Sequence, residues 1–161
     1  MAKTDFKTNV MRVLEGKHIP YTPHTYDVSG GIPDGKTAAK AIGKSTDEVY
    51  KTLVTRGAGG KNYVFVIPVA SELDLKKAAK AVGEKSIEMI RQAELLPLTG
   101  YIHGGCSPIG MKKQFPTVFE EEIILLDTVT VSAGKVGYQI ELSPQALMDL
   151  VGGFSAPLVK D

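Results

Sequence analysis

Val49-Tyr50-Lys51-Thr52-Leu53-Val54-Thr55 is followed by Gly57-Ala58-Gly59-Gly60 and then by Tyr63-Val64-Phe65-Val66-Ile67-Pro68-Val69. β-Branched and aromatic residues dominate both runs, which favours pleated strands. Three glycines in four positions favour a chain reversal between them. The pair predicts a β-hairpin whose first strand alternates and whose second, apolar nearly throughout, lies in the middle of a sheet. Lys51 is the odd residue in this hairpin. A lysine between Tyr50 and Thr52 points either to solvent or into a cleft on the sheet. In a cleft its ammonium is partly desolvated and suited to a phosphate, a carboxylate or an ester carbonyl.

Helix signals flank the hairpin. Upstream, Thr4 is placed to cap a helix reaching Gly16, with Phe6, Val10, Val13 and Leu14 on one face. Thr37 to Ile42 reads as a short helix stopped by Gly43, and Ser45 or Thr46 caps one further turn containing Glu48. Between these, the proline-bearing run Ile19 to Asp27 suits an edge strand, in which Thr22, His24 and Tyr26 share a face. Val28 to Asp34 is a Gly/Pro/Ser loop expected to tolerate changes of length. Downstream, Asp74 caps a helix from Leu75 to Val82 that Gly83 ends. Leu75, Ala78, Ala79 and Val82 make its buried face, and Lys76, Lys77 and Lys80 its solvated one. Ser86 to Ile90 reads as a short strand, and Arg91 to Leu96 as a helical turn before Pro97. Thr117 to Glu120, Ile123 to Leu126, Thr128 to Ser132 and Val136 to Leu142 are β-rich, with a tight turn at Ala133-Gly134-Lys135. Ser143-Pro144 opens a last helix that ends at Gly152-Gly153. Six or seven strands and four or five helices with an inserted hairpin predict an α/β (α+β) fold. Its centre is a mixed β-sheet or distorted open barrel flanked by helices, in one domain over residues 1–161.

A second segment carries chemistry. Gly100-Tyr101-Ile102-His103-Gly104-Gly105-Cys106-Ser107-Pro108-Ile109-Gly110-Met111-Lys112-Lys113 is too rich in glycine for a packed helix or a firm strand. It suits a loop whose backbone N–H groups converge on an anion or an oxyanion. Gly105 and Gly110 have the spacing of a nucleotide-binding phosphate loop. Met111 stands where that motif needs lysine, however, and no Ser or Thr follows to hold magnesium. Three scattered histidines and one cysteine form no metal-ligand spacing, so neither a metal nor any other cofactor is expected. Cys106 near His103 and Lys112 has the setting of a thiolate nucleophile, but a cysteine is more often a small buried apolar residue, and the neighbouring Ile102 and Ile109 favour that reading. Ser132 and Lys135 match a Ser-x-x-Lys spacing, but on a strand-to-turn junction instead of the helix that such hydrolases use.

The formal net charge is +1, so no global basic field grips long nucleic acid. A single cysteine favours a reducing compartment, no apolar run approaches membrane-spanning length, and Met1 to Lys7 lacks the apolar core of a signal peptide. A cytoplasmic protein without a membrane partner is expected.

Four segments agree in order with one family. Val49 to Leu53, Leu73 to Lys77, Gly100 to Lys113 and Ser132 to Leu142 resemble the YbaK/EbsC proteins, free-standing relatives of the bacterial prolyl-tRNA synthetase editing domain. The resemblance runs from about Phe6 to Leu150. It implies a deacylase that clears cysteine wrongly attached to proline tRNA, and cysteinyl-tRNA more generally, on a mixed sheet or distorted barrel. Lys51 falls on the residue on which the family's activity depends most. Tyr26, the pair Gly104-Gly105 and Ser132 fall on further family positions, and Ser107 and Gln139 join them as expected substrate contacts. Gln139 stands where some members carry an acid, which removes a possible base. Cys106 stands where others carry isoleucine, which argues against an enzyme cysteine. In the mechanism attached to the family, the substrate's own thiol attacks its own ester and leaves as a cyclic thioester. The implied partners are the acceptor end of an aminoacyl-tRNA and prolyl-tRNA synthetase in a transient ternary complex. Two alternatives remain: a relative that removes alanine from proline tRNA with activated water, and a non-catalytic regulatory or tRNA-binding protein.

Overall fold

The computed structural model describes residues 6–161. In chain order the first elements are α1 (Asn9–Gly16), β1 (Tyr21–Thr25), α2 (Gly35–Ala41), β2 (Tyr50–Gly57), β3 (Asn62–Pro68), α3 (Leu75–Val82), β4 (Ile87–Met89) and α4 (Leu95–Thr99). β5 (Thr117–Glu120), β6 (Val129–Lys135), β7 (Tyr138–Leu142), α5 (Pro144–Val151) and β8 (Phe154–Ala156) follow. Short 3₁₀ turns cover Gln92–Glu94 and Glu121–Leu125. The strands form a three-stranded sheet in the order β1-β7-β6 and a five-stranded sheet in the order β4-β2-β3-β5-β8. β2 and β3 pair antiparallel, as the glycine-tipped hairpin predicts, while β3 with β5 and β5 with β8 are parallel. The larger sheet is therefore mixed. A parallel bridge between Val49 and Thr130 links the two sheets, which do not close into a barrel.

β3 is central because both its faces are covered. Val64 and Val66 join Val10, Leu14, Phe119, Val131, Ile140 and Leu147 in the core beneath α1 and α5. Phe65 and Ile67, one residue out of phase, pack with Ala78, Ala79, Val118 and Leu158 beneath α3. The apolar run of β3 is thus the expected signature of a strand buried on two sides.

Several details depart from the sequence expectation. Thr4 lies outside the described residues; α1 begins at Asn9, and the Thr8 hydroxyl accepts its first free N–H, from Met11, at 3.2 Å. Leu75 is 41% exposed instead of lying on the buried face of α3, because the helix packs through Ala78 and Ala79. Pro97 does not stop a helix: it sits in the first turn of α4, where its missing N–H has no partner to lose. Ile123 to Leu126 is no strand. The Glu120 carboxylate accepts the Glu122 N–H at 3.0 Å and turns the chain into a 3₁₀ helix that leaves Ile124 and Leu125 exposed. Ala133-Gly134 is a bulge inside β6, and the reversal comes two residues later at Val136-Gly137. β8, at one edge of the larger sheet, has no counterpart in the sequence reading.

Candidate functional site

β4 covers only Thr55–Gly57 of β2, so the first half of that strand faces the smaller sheet without a neighbour along most of its length. A cleft of about 420 Å³ opens there. One wall is β2, with Tyr50, Lys51, Thr52 and Leu53. The opposite wall is the polar face of the smaller sheet, with Ser132, Gln139 and, just beyond β1, Tyr26. The start of α2 with the residues before it (Pro33 to Lys36) and the glycine loop (His103, Gly104, Cys106) complete it.

Lys51 is half-buried in this cleft and has no hydrogen-bond or ion-pair partner among the described residues. Burial lowers its pKa below the ordinary 10.5; Glu72 opposes that shift and the neighbouring Lys36 cation adds to it. The result is a cation short of both water and counter-charge, which is the condition in which it binds an oxyanion most strongly.

The glycine loop is closed at its base by the Lys112 N–H, which donates to the Thr99 carbonyl at 2.9 Å. Tyr101 pins its far end by donating from its hydroxyl to the Ile109 carbonyl, and burial raises that phenol to about 12. Gly134 makes the fit possible: at φ +92° a Cβ there would lie 2.9 Å from the Tyr101 ring. Within the loop, Gly104 has φ +88°, a left-handed conformation that favours glycine, and a Cβ there would also displace the Ile32 side chain 2.7 Å away. Gly104 lines the cleft, and its N–H has no backbone partner among the described residues.

Not every expected residue reaches the cleft. The Gly105 N–H is spent on the Ile102 carbonyl at 3.0 Å and the residue packs against the β6–β7 turn. It is therefore not a free donor. Ser107 is fully buried, and its hydroxyl accepts the Ile109 N–H at 3.2 Å, a turn-forming contact away from the cleft. Tyr26 and His24 also part company. Tyr26 faces the cleft, while the His24 Nε2 meets the Glu141 carboxylate at 2.8 Å, beside Lys44 at 2.9 Å. The imidazole that does line the cleft is that of His103. Lys135 lies over the Phe6 ring, 4.7 Å from its centroid, and the Ser132 hydroxyl accepts the Gly134 N–H at 3.1 Å, so the Ser-x-x-Lys spacing builds no catalytic pair. Cys106 lines the cleft as a thiol, because burial pushes its pKa up to about 12. Neither His103 nor Lys112 holds it as a thiolate.

The wall formed by Pro33 to Lys36 was invisible in the sequence, where that segment reads as a variable loop. Its one local signal is Asp34, whose carboxylate accepts the Thr37 N–H at 2.8 Å and caps α2. Thr52 is the other addition: its Oγ1 and the Oε1 of Gln139 are buried side-chain atoms with no partner among the described residues, and both residues line the cleft. No group of three or more metal-ligating side chains comes together among the described residues.

The family described as the aminoacyl-tRNA editing domain matches residues 31–150, a span that includes Lys51, Gly104, Ser132 and Gln139. The chain belongs to this family. Among its relatives, EbsC of Enterococcus faecalis is 47% identical over 151 residues, covering 94% of this chain and 92% of that protein. The name of that relative describes a deacylase of Cys-tRNA(Pro) and Cys-tRNA(Cys). The proline–tRNA ligase of Shouchella clausii is 28% identical over 109 residues, 66% of this chain but 19% of that enzyme. A solved structure described as a trans-editing enzyme for prolyl-tRNA synthetase superposes with a TM-score of 0.82 at 26% identity, covering 98% of this chain and 100% of that one. The superposition extends over nearly the whole chain, both sheets included.

Proposed function

We propose that the protein is a trans-editing deacylase that clears cysteine from Cys-tRNA(Pro), and from Cys-tRNA(Cys), without a nucleophile of its own. One observation carries the mechanism. The cleft holds a Lys51 ammonium and a Gly104 N–H, neither with a hydrogen-bond partner among the described residues, while the sulfur that lines it, on Cys106, stays protonated up to about 12. Such a site stabilises charge but does not attack. The attack comes from the substrate: the cysteinyl thiol sulfur bonds to its own ester carbonyl carbon, the bond to the ribose oxygen breaks, and the thiol proton passes to that departing oxygen. The product is a four-membered thioester ring. Tethering makes the step intramolecular, so the protein holds the reactive rotamer and stabilises the oxyanion. Lys51 anchors the ester or terminal ribose oxygens, Gly104 donates to the carbonyl oxygen, and Tyr26 and Ser132 shape the opposite wall. Activation of water for alanine removal is less well supported, because Gln139 supplies no carboxylate and that of Asp34 is committed to capping α2.

The acceptor end of the tRNA is the part that such a cleft admits. With a net charge of +1 the protein holds tRNA weakly by itself, and a transient complex with prolyl-tRNA synthetase supplies the remaining contacts. The deciding experiment compares cysteinyl and alanyl esters of proline tRNA and identifies the product released. Rapid loss of cysteine as the cyclic thioester, with alanine retained, is the expected result. Equal clearance of alanine overturns the mechanism.

A further inference from the structure

Resting on that reading, we infer that Thr52 and Gln139 seat the α-amino group of the bound aminoacyl ester, and so orient it before the thiol attacks. The parity of β2 decides which edge each backbone group meets. The Val69 N–H donates to the Val49 carbonyl at 2.9 Å, and the Gly57 N–H donates to the Lys61 carbonyl at 2.8 Å. These bonds bracket the hairpin and assign the backbone groups of its odd-numbered residues to β3. The even-numbered residues turn theirs to the other edge. There the Glu48 carbonyl accepts the Thr130 N–H at 2.9 Å and the Val54 carbonyl accepts the Ile90 N–H at 3.4 Å. Thr52 lies between them, where neither β4 nor β6 pairs with it. Its N–H and C=O therefore turn to the open edge of β2 without a strand partner, and its buried hydroxyl also has no partner among the described residues.

Gln139 brings a further acceptor from the opposite sheet. It is 8% exposed, and its Oε1 is buried without a partner. A half-turn of the amide exchanges which of its two polar atoms meets the cleft. The unpartnered groups of these two cleft residues are thus three acceptors, the Thr52 carbonyl, the Thr52 hydroxyl and the Gln139 oxygen, and one donor, the Thr52 N–H, which suits the carbonyl oxygen of the same ester; the cleft's cations are Lys36 and Lys51. A phosphate or carboxylate meets repulsion at those acceptors. A hydroxyl brings a single proton to them, whereas an amine brings two or three, which matches their number. In an aminoacyl ester the amine and the carbonyl share one carbon. Seating the amine at Thr52 and Gln139 therefore fixes the direction in which the carbonyl meets Lys51 and Gly104. Thr52 and Gln139 are positioning residues in this account.

The test uses full-length protein, proline tRNA carrying cysteine, and the same tRNA carrying the α-hydroxy analogue, which keeps the thiol and the ester and replaces only the amine. Wild type is expected to lose roughly tenfold or more in kcat/KM on the analogue. In Thr52→Val and Gln139→Met that penalty should shrink to about threefold or less, because the contact is already gone. Thermal unfolding identifies any variant that fails to fold, in which case the other decides. Three results would overturn the proposal: wild type turning over both esters alike; variants lowering both substrates by the same factor, which is a structural effect; or the variant effect vanishing with a 2′-deoxy terminal adenosine instead, which makes the seat one for ribose. Failure of the proposed function looks different, since wild type would then turn over neither ester.

Discussion

The ammonium of Lys51 is the residue-scale centre of this protein, and its environment makes a specific demand. Removing a charge-stabilising group from a pre-organised site lowers kcat by about 10²–10³. Lys51→Ala should therefore reduce clearance of cysteinyl-tRNA by that order while the melting temperature holds or rises, because a half-buried cation without a partner opposes folding. Burial also lowers the pKa of Lys51, so kcat/KM should fall on the alkaline side at a pH below 10.5, once spontaneous ester hydrolysis is subtracted. Lys51→Arg should move that limb upward. A wild-type profile flat to pH 10.5 would show that the cation takes no part. Cys106 makes the opposite demand. With its thiol protonated up to about 12, Cys106→Ser should retain activity within about threefold at neutral pH, because a thiol so rarely ionised supplies no nucleophile. A dead Cys106→Ser that still folds would transfer the chemistry to the enzyme.

At the scale of elements, the smaller sheet depends on one carboxylate. Glu141 of β7 is held down to about 2, first by the Thr128 hydroxyl and then by His24 and Lys44, against the opposing effect of burial. Its folded pKa lies below the ordinary 4.5, so the stabilisation is present above that value and is lost as pH falls from about 4.5 towards 2. Glu141→Gln should cost about 2 kcal/mol at neutral pH and flatten that acid limb, measured by urea unfolding across pH. An unchanged limb would assign acid sensitivity to other carboxylates. This cluster also shows where the sequence was legible. The β2–β3 hairpin, the Asp74 cap and the Ser143-Pro144 helix start are local patterns, complete within a few residues, and each forms where it was expected. His24 and Glu141 are 117 positions apart, and nothing near either one announces the other. The same reason hid the cleft wall at Pro33 to Lys36, which becomes a wall only when α2 packs on Val49 and Val69 at the open end of the hairpin. Ile123 to Leu126 misled for the converse reason: its composition favours a strand, but one capping carboxylate on Glu120 outweighs it. Lys51 was legible because a cation inside an apolar strand conflicts with its surroundings. Thr52 was not, since a threonine in a strand conflicts with nothing.

For the molecule as a whole, the question is how a nearly neutral protein handles a polyanion. A protein that neutralises many phosphates shows an affinity falling steeply with salt, with a slope near the number of ion pairs released. Here the cations at the cleft are Lys36 and Lys51, and several other lysines are already engaged: Lys44 by Glu141, Lys77 by Asp161 and Lys7 by Glu15. A footprint confined to the acceptor end and built on so few free cations implies a shallow slope, about two in log–log terms, and weak binding at physiological ionic strength. Filter binding of proline tRNA between 50 and 200 mM salt, expected to change affinity by roughly one order of magnitude or less, measures this directly. Adding prolyl-tRNA synthetase should raise the apparent affinity by much more than the buffer does, since the synthetase holds the body of the tRNA while this protein receives only its end. A steep slope from the isolated chain would mean that a broad basic surface, and not the cleft, governs recognition. The ternary arrangement would then lose its physical motive, because a protein able to grip tRNA unaided has no need of a second one to deliver it.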